Sequence, residues 1–256
     1  MNTTLKSFIA AGLTVLGLAG AMQANASVVI AGTRVIYNAS EAETTIKLTN
    51  EGKSPALTQV WLDKGDPKAA PASVEVPFTA TPPVTRIDPG KGQTLRIIYT
   101  GEPLPQDRES VFWLNVLEIP PKPAAEDAGA NKLQLAFRSR IKLFFRPAGL
   151  KDSVEDAPAK VVWRLTQTGG RPAIEARNPT PYHVSFARVD VVGAGKAARF
   201  EEGGMVAPGE TTVFPLTGEA VQAPDTKVQY HAINDFGGAV KGEAALGAAH
   251  ARQVPR

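Results

Sequence analysis

Apolar and polar positions alternate with period two over much of this chain, the pattern of strands with one buried face. The longest such run is Asn131-Lys-Leu-Gln-Leu-Ala-Phe-Arg-Ser-Arg-Ile-Lys-Leu-Phe-Phe-Arg146. Within it Leu133, Leu135, Phe137, Ile141, Leu143 and Phe145 share one face, and Lys132, Arg138, Arg140, Lys142 and Arg146 share the other. Strands usually run about 5–6 residues, whereas this one could reach about 15, on the order of 50 Å at roughly 3.3 Å per residue. That exceeds what a small sandwich needs, so part of the strand is expected to lack a partner in its own chain. An uncovered apolar strand is an aggregation hazard that soluble proteins normally suppress. Its retention points to pairing with another chain. Ser139 interrupts the apolar face and marks the expected passage from intramolecular core to intermolecular face.

Shorter runs with strand character cover 28–37, 42–50, 56–63, 94–100 and 110–118. Turn chemistry separates them, as in Asn50-Glu-Gly-Lys-Ser54, Asp88-Pro-Gly-Lys-Gly92 and Pro103-Leu-Pro-Gln-Asp107. Closely spaced short strands of this kind indicate an immunoglobulin-like sandwich. A second set follows Arg146-Pro147, over 160–168, 171–178, 183–192, 205–206, 211–215 and 227–234. The fold class expected is therefore all-β, with two immunoglobulin-like sandwich domains over 27–147 and 148–242. The polar, proline-led stretch 120–130 reads as a loop from which the long strand emerges. The Ala-rich stretch 243–256 has no strand pattern and reads as a frayed tail or a short helix. Trp61, Trp113 and Trp163 read as core anchors.

The first 26 residues fall outside this fold. Lys6, an apolar run from Phe8 to Ala21 and then Ala24-Asn25-Ala26 form a secretory signal, with cleavage expected after Ala26 and export of the mature chain. The run is short for a membrane span. Its loss takes the formal net charge from +3 to +2, too small a bias to argue for nucleic acid. The chain has no cysteine, so neither disulfides nor thiolate metal sites contribute, and stability must come from buried apolar area. His183, His231 and His250 lack metal-ligand spacing, and no G-x-S-x-G occurs. Asp66, Glu75 and Asp88 show no pairing suited to acid–base work. Gly193-Ala-Gly-Lys196 resembles part of a phosphate loop but lacks the following Ser or Thr, and reads as a turn. No catalysis, cofactor or metal is expected.

Several segments in order along the mature chain carry a family likeness: Gly32-Thr-Arg-Val-Ile-Tyr37, Pro82-Pro-Val-Thr-Arg-Ile-Asp-Pro-Gly-Lys-Gly-Gln-Thr-Leu-Arg-Ile97, Asp107-Arg-Glu-Ser-Val-Phe-Trp-Leu-Asn-Val-Leu-Glu-Ile-Pro-Pro121, Arg140-Ile-Lys-Leu-Phe-Phe-Arg-Pro147, Asn178-Pro-Thr-Pro-Tyr182 and Ile233-Asn-Asp-Phe-Gly237. With these the chain resembles the periplasmic chaperones of the chaperone–usher pilus pathway, and its short connecting loop and lack of cysteine resemble their short-loop subfamily. The resemblance implies two sandwiches set at an angle around a cleft. It implies that Arg34 and Lys142 anchor the C-terminal carboxylate of a pilus subunit, and that Leu133, Leu135 and Phe137 fill the open groove of that subunit. It implies that Glu109, Arg146 and Asp235 form an ion network fixing the two domains. The implied partners are pilus subunits and an outer-membrane usher in the periplasm, and self-association of the free protein is compatible with its uncovered strand. By pattern alone Arg34 and Lys142 are ordinary solvent-face charges. The residues by themselves also leave open a secreted two-sandwich adhesion or carbohydrate-binding module that works through loops.

Overall fold

The computed structural model describes residues 27–120, 135–220 and 223–247. The expected signal segment, most of the 120–130 loop, Leu133 and the end of the Ala-rich tail lie outside the described residues.

The first domain is a sandwich of two sheets. One has the order β1-β3-β7-β5, from Val28–Ile30, Thr44–Asn50, Gly92–Tyr99 and Phe78–Thr81. The other has the order β2-β9-β8-β4-β6, from Arg34–Asn38, Phe137–Arg146, Ser110–Ile119, Ala56–Asp63 and Val84–Ile87. The run expected over 28–37 is thus two strands: β1 pairs antiparallel with β3, and β2 pairs parallel with β9 in the other sheet. Inward positions alternate as the pattern requires, placing Leu48, Leu95, Ile97, Leu114 and Leu143 wholly inside. An aromatic cluster closes one end of this core. Phe78 packs edge-on against Phe112 at 4.9 Å between centroids, and Tyr99 lies 4.8 Å from Phe145. The turn after β3 is latched from within: the buried Asn50 donates from Nδ2 to Ser54 O and Ile87 O and accepts the Gly52 N–H.

The second domain repeats the plan. Its sheets have the orders β10-β11-β15 (Val162–Thr168, Arg171–Arg177, Thr211–Pro215) and β16-β13-β12-β17-β18 (Thr217–Gly218, Lys196–Phe200, Val184–Gly193, Lys227–Ile233, Ala239–Ala245). β14 (Gly204–Val206) also pairs with β12. Trp163 is fully buried against Phe186, with centroids 5.0 Å apart. Gly193-Ala-Gly-Lys196 forms the turn of the β12–β13 hairpin, in keeping with the turn reading.

Two expectations need correction. The tail does not begin at residue 243, and its described residues, 243–247, form no helix: β18 continues through Ala245 in unbroken antiparallel register with β17, and Leu246 bridges to Trp163. Alanine is a poor strand former, but the exposed edge of β17 imposes the conformation. Gly242 makes it possible, because a Cβ there would stand 2.3 Å from the Tyr230 ring. Trp113 is not a core residue. It stands half-buried on the outer face of the five-stranded sheet, in contact with Arg140 and Lys142.

Candidate functional site

The register of the five-stranded sheet sets four side chains in one row across neighbouring strands. Arg34 on β2 opposes Lys142 on β9, Lys142 opposes Trp113 on β8, and Trp113 opposes Asp63 on β4. With strands roughly 4.8 Å apart, the two cations stand side by side. Their face turns away from the first core, as its alternation requires. The second domain covers part of it. The Arg34 Nη1 donates to Ile233 O at 3.0 Å, and its Cζ lies 5.6 Å from the centre of the Phe144 ring.

Among the described residues no carboxylate lies within ion-pair distance of either Arg34 or Lys142. Asp63 is the nearest acid in the row, and it is already engaged. Arg140 grips both of its oxygens, one from Nε at 3.2 Å and the other from Nη2. Asn115 Nδ2 adds a bond at 2.8 Å and the Gly65 N–H another at 2.6 Å. Burial alone would push the Asp63 carboxyl up, yet these donors hold it below the usual carboxylate range. The Trp113 indole fills the space between, with Arg140 Cζ 4.4 Å and Lys142 Nζ 5.4 Å from its centre. Burial, and secondly the Arg34 charge, lower the Lys142 ammonium from its ordinary range. Burial also lowers Arg34, against the attraction of Asp235 and Glu109. The Arg34 Nε is buried with no hydrogen-bond partner. A pair of partly desolvated cations with spare donors is chemically an anion site, and a carboxylate fits it: Arg presents a planar fork and Lys a point charge.

One step further along β9 the electrostatics reverse. Arg146 donates from Nε to Glu109 Oε1 at 2.7 Å, and from Nη1 and Nη2 to the two Asp235 oxygens at 2.6 and 3.0 Å. Burial works against its charge, but the bonds to Asp235 and Glu109 outweigh it and raise the guanidinium above its usual range. Glu109 also accepts the His183 N–H at 2.8 Å, and its own N–H donates to Pro181 O at 2.9 Å. The structure therefore brings Glu109, Arg146 and Asp235 together across the domain junction. It adds His183, Pro181 and Phe144, which the sequence pattern did not single out for this junction. Phe144 is out of phase with the apolar face of its strand, and that is the available clue. It is buried outside the first core, with its ring centre 5.4 Å from that of His183. Between the domains lies a cleft of about 540 Å³, lined by Arg34 and Phe144 on one side and Tyr230, Phe236 and Lys241 on the other.

Leading away from this cleft, β9 passes from core to solvent. Phe145 and Leu143 are buried, Ile141 packs partly on the core, Phe137 is half-exposed, and Leu135 is 51% exposed. Residues 142–145 are paired on both sides, by β2 and β8. Residues 137–141 pair with β8 alone, so among the described residues their other edge carries unpaired backbone donors and acceptors.

Comparison with known proteins places this architecture. The family model "Pili and flagellar-assembly chaperone, PapD N-terminal domain" matches residues 27–151, and "Pili assembly chaperone PapD, C-terminal domain" matches residues 156–244. The probable fimbrial chaperone YadV of Escherichia coli K12 is 49% identical over 223 residues, covering 86% of this chain and 90% of that protein. The chaperone protein FimB/FhaD of Bordetella pertussis is 48% identical over 227 residues, covering 87% and 89%. Among solved structures, the YadV chaperone has a TM-score of 0.73 at 45% identity, over 86% of this chain and 99% of that one. A Salmonella enterica SafB chaperone in complex with the SafA pilin gives 0.71 at 27% identity, over 88% and 99%. These relationships do not favour the adhesion or carbohydrate-binding alternative. The chain belongs to the PapD family of pilus-assembly chaperones.

Proposed function

We propose that this protein works in the periplasm, holding pilus subunits by strand donation until an outer-membrane usher takes them over. A pilus subunit presents its C-terminal carboxylate to Arg34 and Lys142. That contact fixes the register in which its edge strand pairs with the free edge of β9 at residues 137–141. Leu133, Leu135 and Phe137 then enter the open groove of the bound pilin. Burying three such side chains contributes on the order of 5–8 kcal/mol before ordering costs, at roughly 1.5–3 each. Release follows when an extension from the next pilin replaces the donated strand. Interactions are exchanged rather than lost, so the cycle needs neither a nucleotide nor a catalytic group. Glu109, Arg146 and Asp235 act structurally, holding the two walls of the cleft at a fixed angle.

The observation that carries this reading is the placement of two partly buried cations, with no carboxylate in ion-pair distance among the described residues, beside the end of an uncovered apolar strand. Lys142→Met tests it. Co-expressed with a pilin of its own host, the variant should fold normally yet fail to protect or co-purify that pilin. Normal pilin recovery would rule out the anchoring role.

A further inference from the structure

Ser27 follows directly on Ala24-Asn25-Ala26, where cleavage is expected, and it is held far more firmly than chain ends usually are. Three donors converge on one carboxylate. The Ser27 nitrogen and the Val28 N–H each lie 3.0 Å from Glu118 Oε2, and the Ser27 hydroxyl donates to Glu118 Oε1. On its other side the Ser27 carbonyl accepts the Glu51 N–H at 2.7 Å. The Ser27 side chain occupies the space a side chain at residue 52 would need: a Cβ on Gly52 would stand 2.4 Å from the Ser27 Cβ. Ser27 therefore ties β8 of one sheet to the turn after β3 of the other. Among the described residues no Lys or Arg lies within ion-pair distance of the Glu118 carboxylate.

While Ser27 is linked to Ala26, its nitrogen is an uncharged amide that donates one hydrogen bond to the Glu118 carboxylate. Hydrolysis of the Ala26–Ser27 bond adds water across it, leaving a carboxylate on Ala26 and an amine on Ser27. That amine takes up a proton at neutral pH, since α-amino groups titrate at about 7.7–8.0. An ammonium donor then sets a full positive charge against the carboxylate, a Coulombic attraction that the uncharged amide lacks. We propose that Glu118 is the receptor for the α-ammonium group that processing creates at Ser27, so that removal of the leader tightens the join between the two sheets. Glu118 stands directly opposite Phe137 in the β8–β9 register, so the clamp sits where the donated strand leaves the fold. The inference rests on cleavage after Ala26 and is independent of the anchoring role of Arg34 and Lys142.

The test compares the mature protein beginning at Ser27 with a form beginning at Asn25, which keeps the amide. Each is made with Glu118 and with Glu118→Gln, and all four are followed by thermal melting. With Glu118, the two added residues should lower Tm by about 2–4 °C. With Glu118→Gln that difference should shrink to within about 1 °C, as expected for a directly coupled pair. Equal melting of the two N-termini with Glu118 present would overturn the proposal. So would an equal drop in both backgrounds. N-terminal sequencing of the exported protein decides the premise separately, and a start other than Ser27 would also overturn it.

Discussion

Two sets of partly buried cations share one face of the five-stranded sheet, and they are treated in opposite ways. Arg140 and Arg146 are matched in full: Arg140 grips Asp63, and Arg146 spans Glu109 and Asp235. Arg34 and Lys142 sit between them in the same layer and meet no carboxylate among the described residues. Burial lowers both of the latter, while its partners raise Arg146. Burying a charge without a partner is unfavourable, so a fold optimised for stability alone would not retain the unmatched pair. On the function proposed above, the matched set belongs to the scaffold and the unmatched set awaits a ligand.

Breaking the matched set should have the largest effect on stability. Arg146→Met leaves Glu109 and Asp235 facing each other without the cation that bonds both, and removal of one partner from a buried pair costs about 3–5 kcal/mol. Chemical denaturation should show that loss, with the second domain no longer held against the first. Arg34→Met acts on the unmatched set. It should weaken the chaperone–pilin complex about 10–100-fold, as expected for a charged hydrogen bond of about 1.5–3 kcal/mol, with Tm almost unchanged. Titration against a peptide bearing the pilin's last residues measures it, and the same peptide with an amidated end should bind the native protein comparably weakly.

A smaller effect sharpens the boundary between the sets. Trp113 touches one cation of each, Arg140 and Lys142. Trp113→Leu removes a contact of about 0.5–1 kcal/mol at such sites, so peptide binding should fall a few-fold, with Trp113→Phe retaining most of it. The smallest effect is on acid stability. The Asp63 carboxyl is depressed in the folded protein, so its contribution is complete above the unfolded carboxylate range, near pH 4. That contribution is lost as the pH falls through the depressed value. The difference in Tm between the native protein and Asp63→Asn should therefore be widest above pH 5 and narrow towards pH 3.

How far the fold was legible follows from where burial originates. Alternation in β3, β4, β8, β12 and β17 reflects a face buried within one domain, and the sequence shows it directly. Phe78–Thr81, Val84–Ile87 and Lys196–Phe200 were missed because short strands rich in Thr, Ala or charge carry little periodic signal. The split between β1 and β2 is not visible because both halves are short apolar runs, Val28-Val29-Ile30 and Val35-Ile36-Tyr37, and only the interruption at Ala31-Gly32-Thr33 marks the change of sheet. Arg34 and Lys142 are a different case. Within their own sheet they do point outward, as the pattern says; the second domain reaches Arg34 through Ile233, and Lys142 is shielded beside Arg34 and Trp113. Periodicity reports one sheet at a time and is blind to burial between domains. For those two residues only the family likeness carried the signal, and the junction roles of Phe144 and His183 stayed hidden for the same reason.

The central claim is that the unmatched cations exist for a ligand and not for the fold. The most direct test takes Lys142→Met, which keeps most of the side chain's length and removes its charge, and measures two quantities on one preparation: recovery of the chaperone–pilin complex and Tm of the free chaperone. The account predicts loss of the complex together with a Tm equal to or above that of the native protein, since a disfavoured, partly buried charge has been removed. Retention of the complex, or its loss together with a Tm drop as large as that of Arg146→Met, would contradict it.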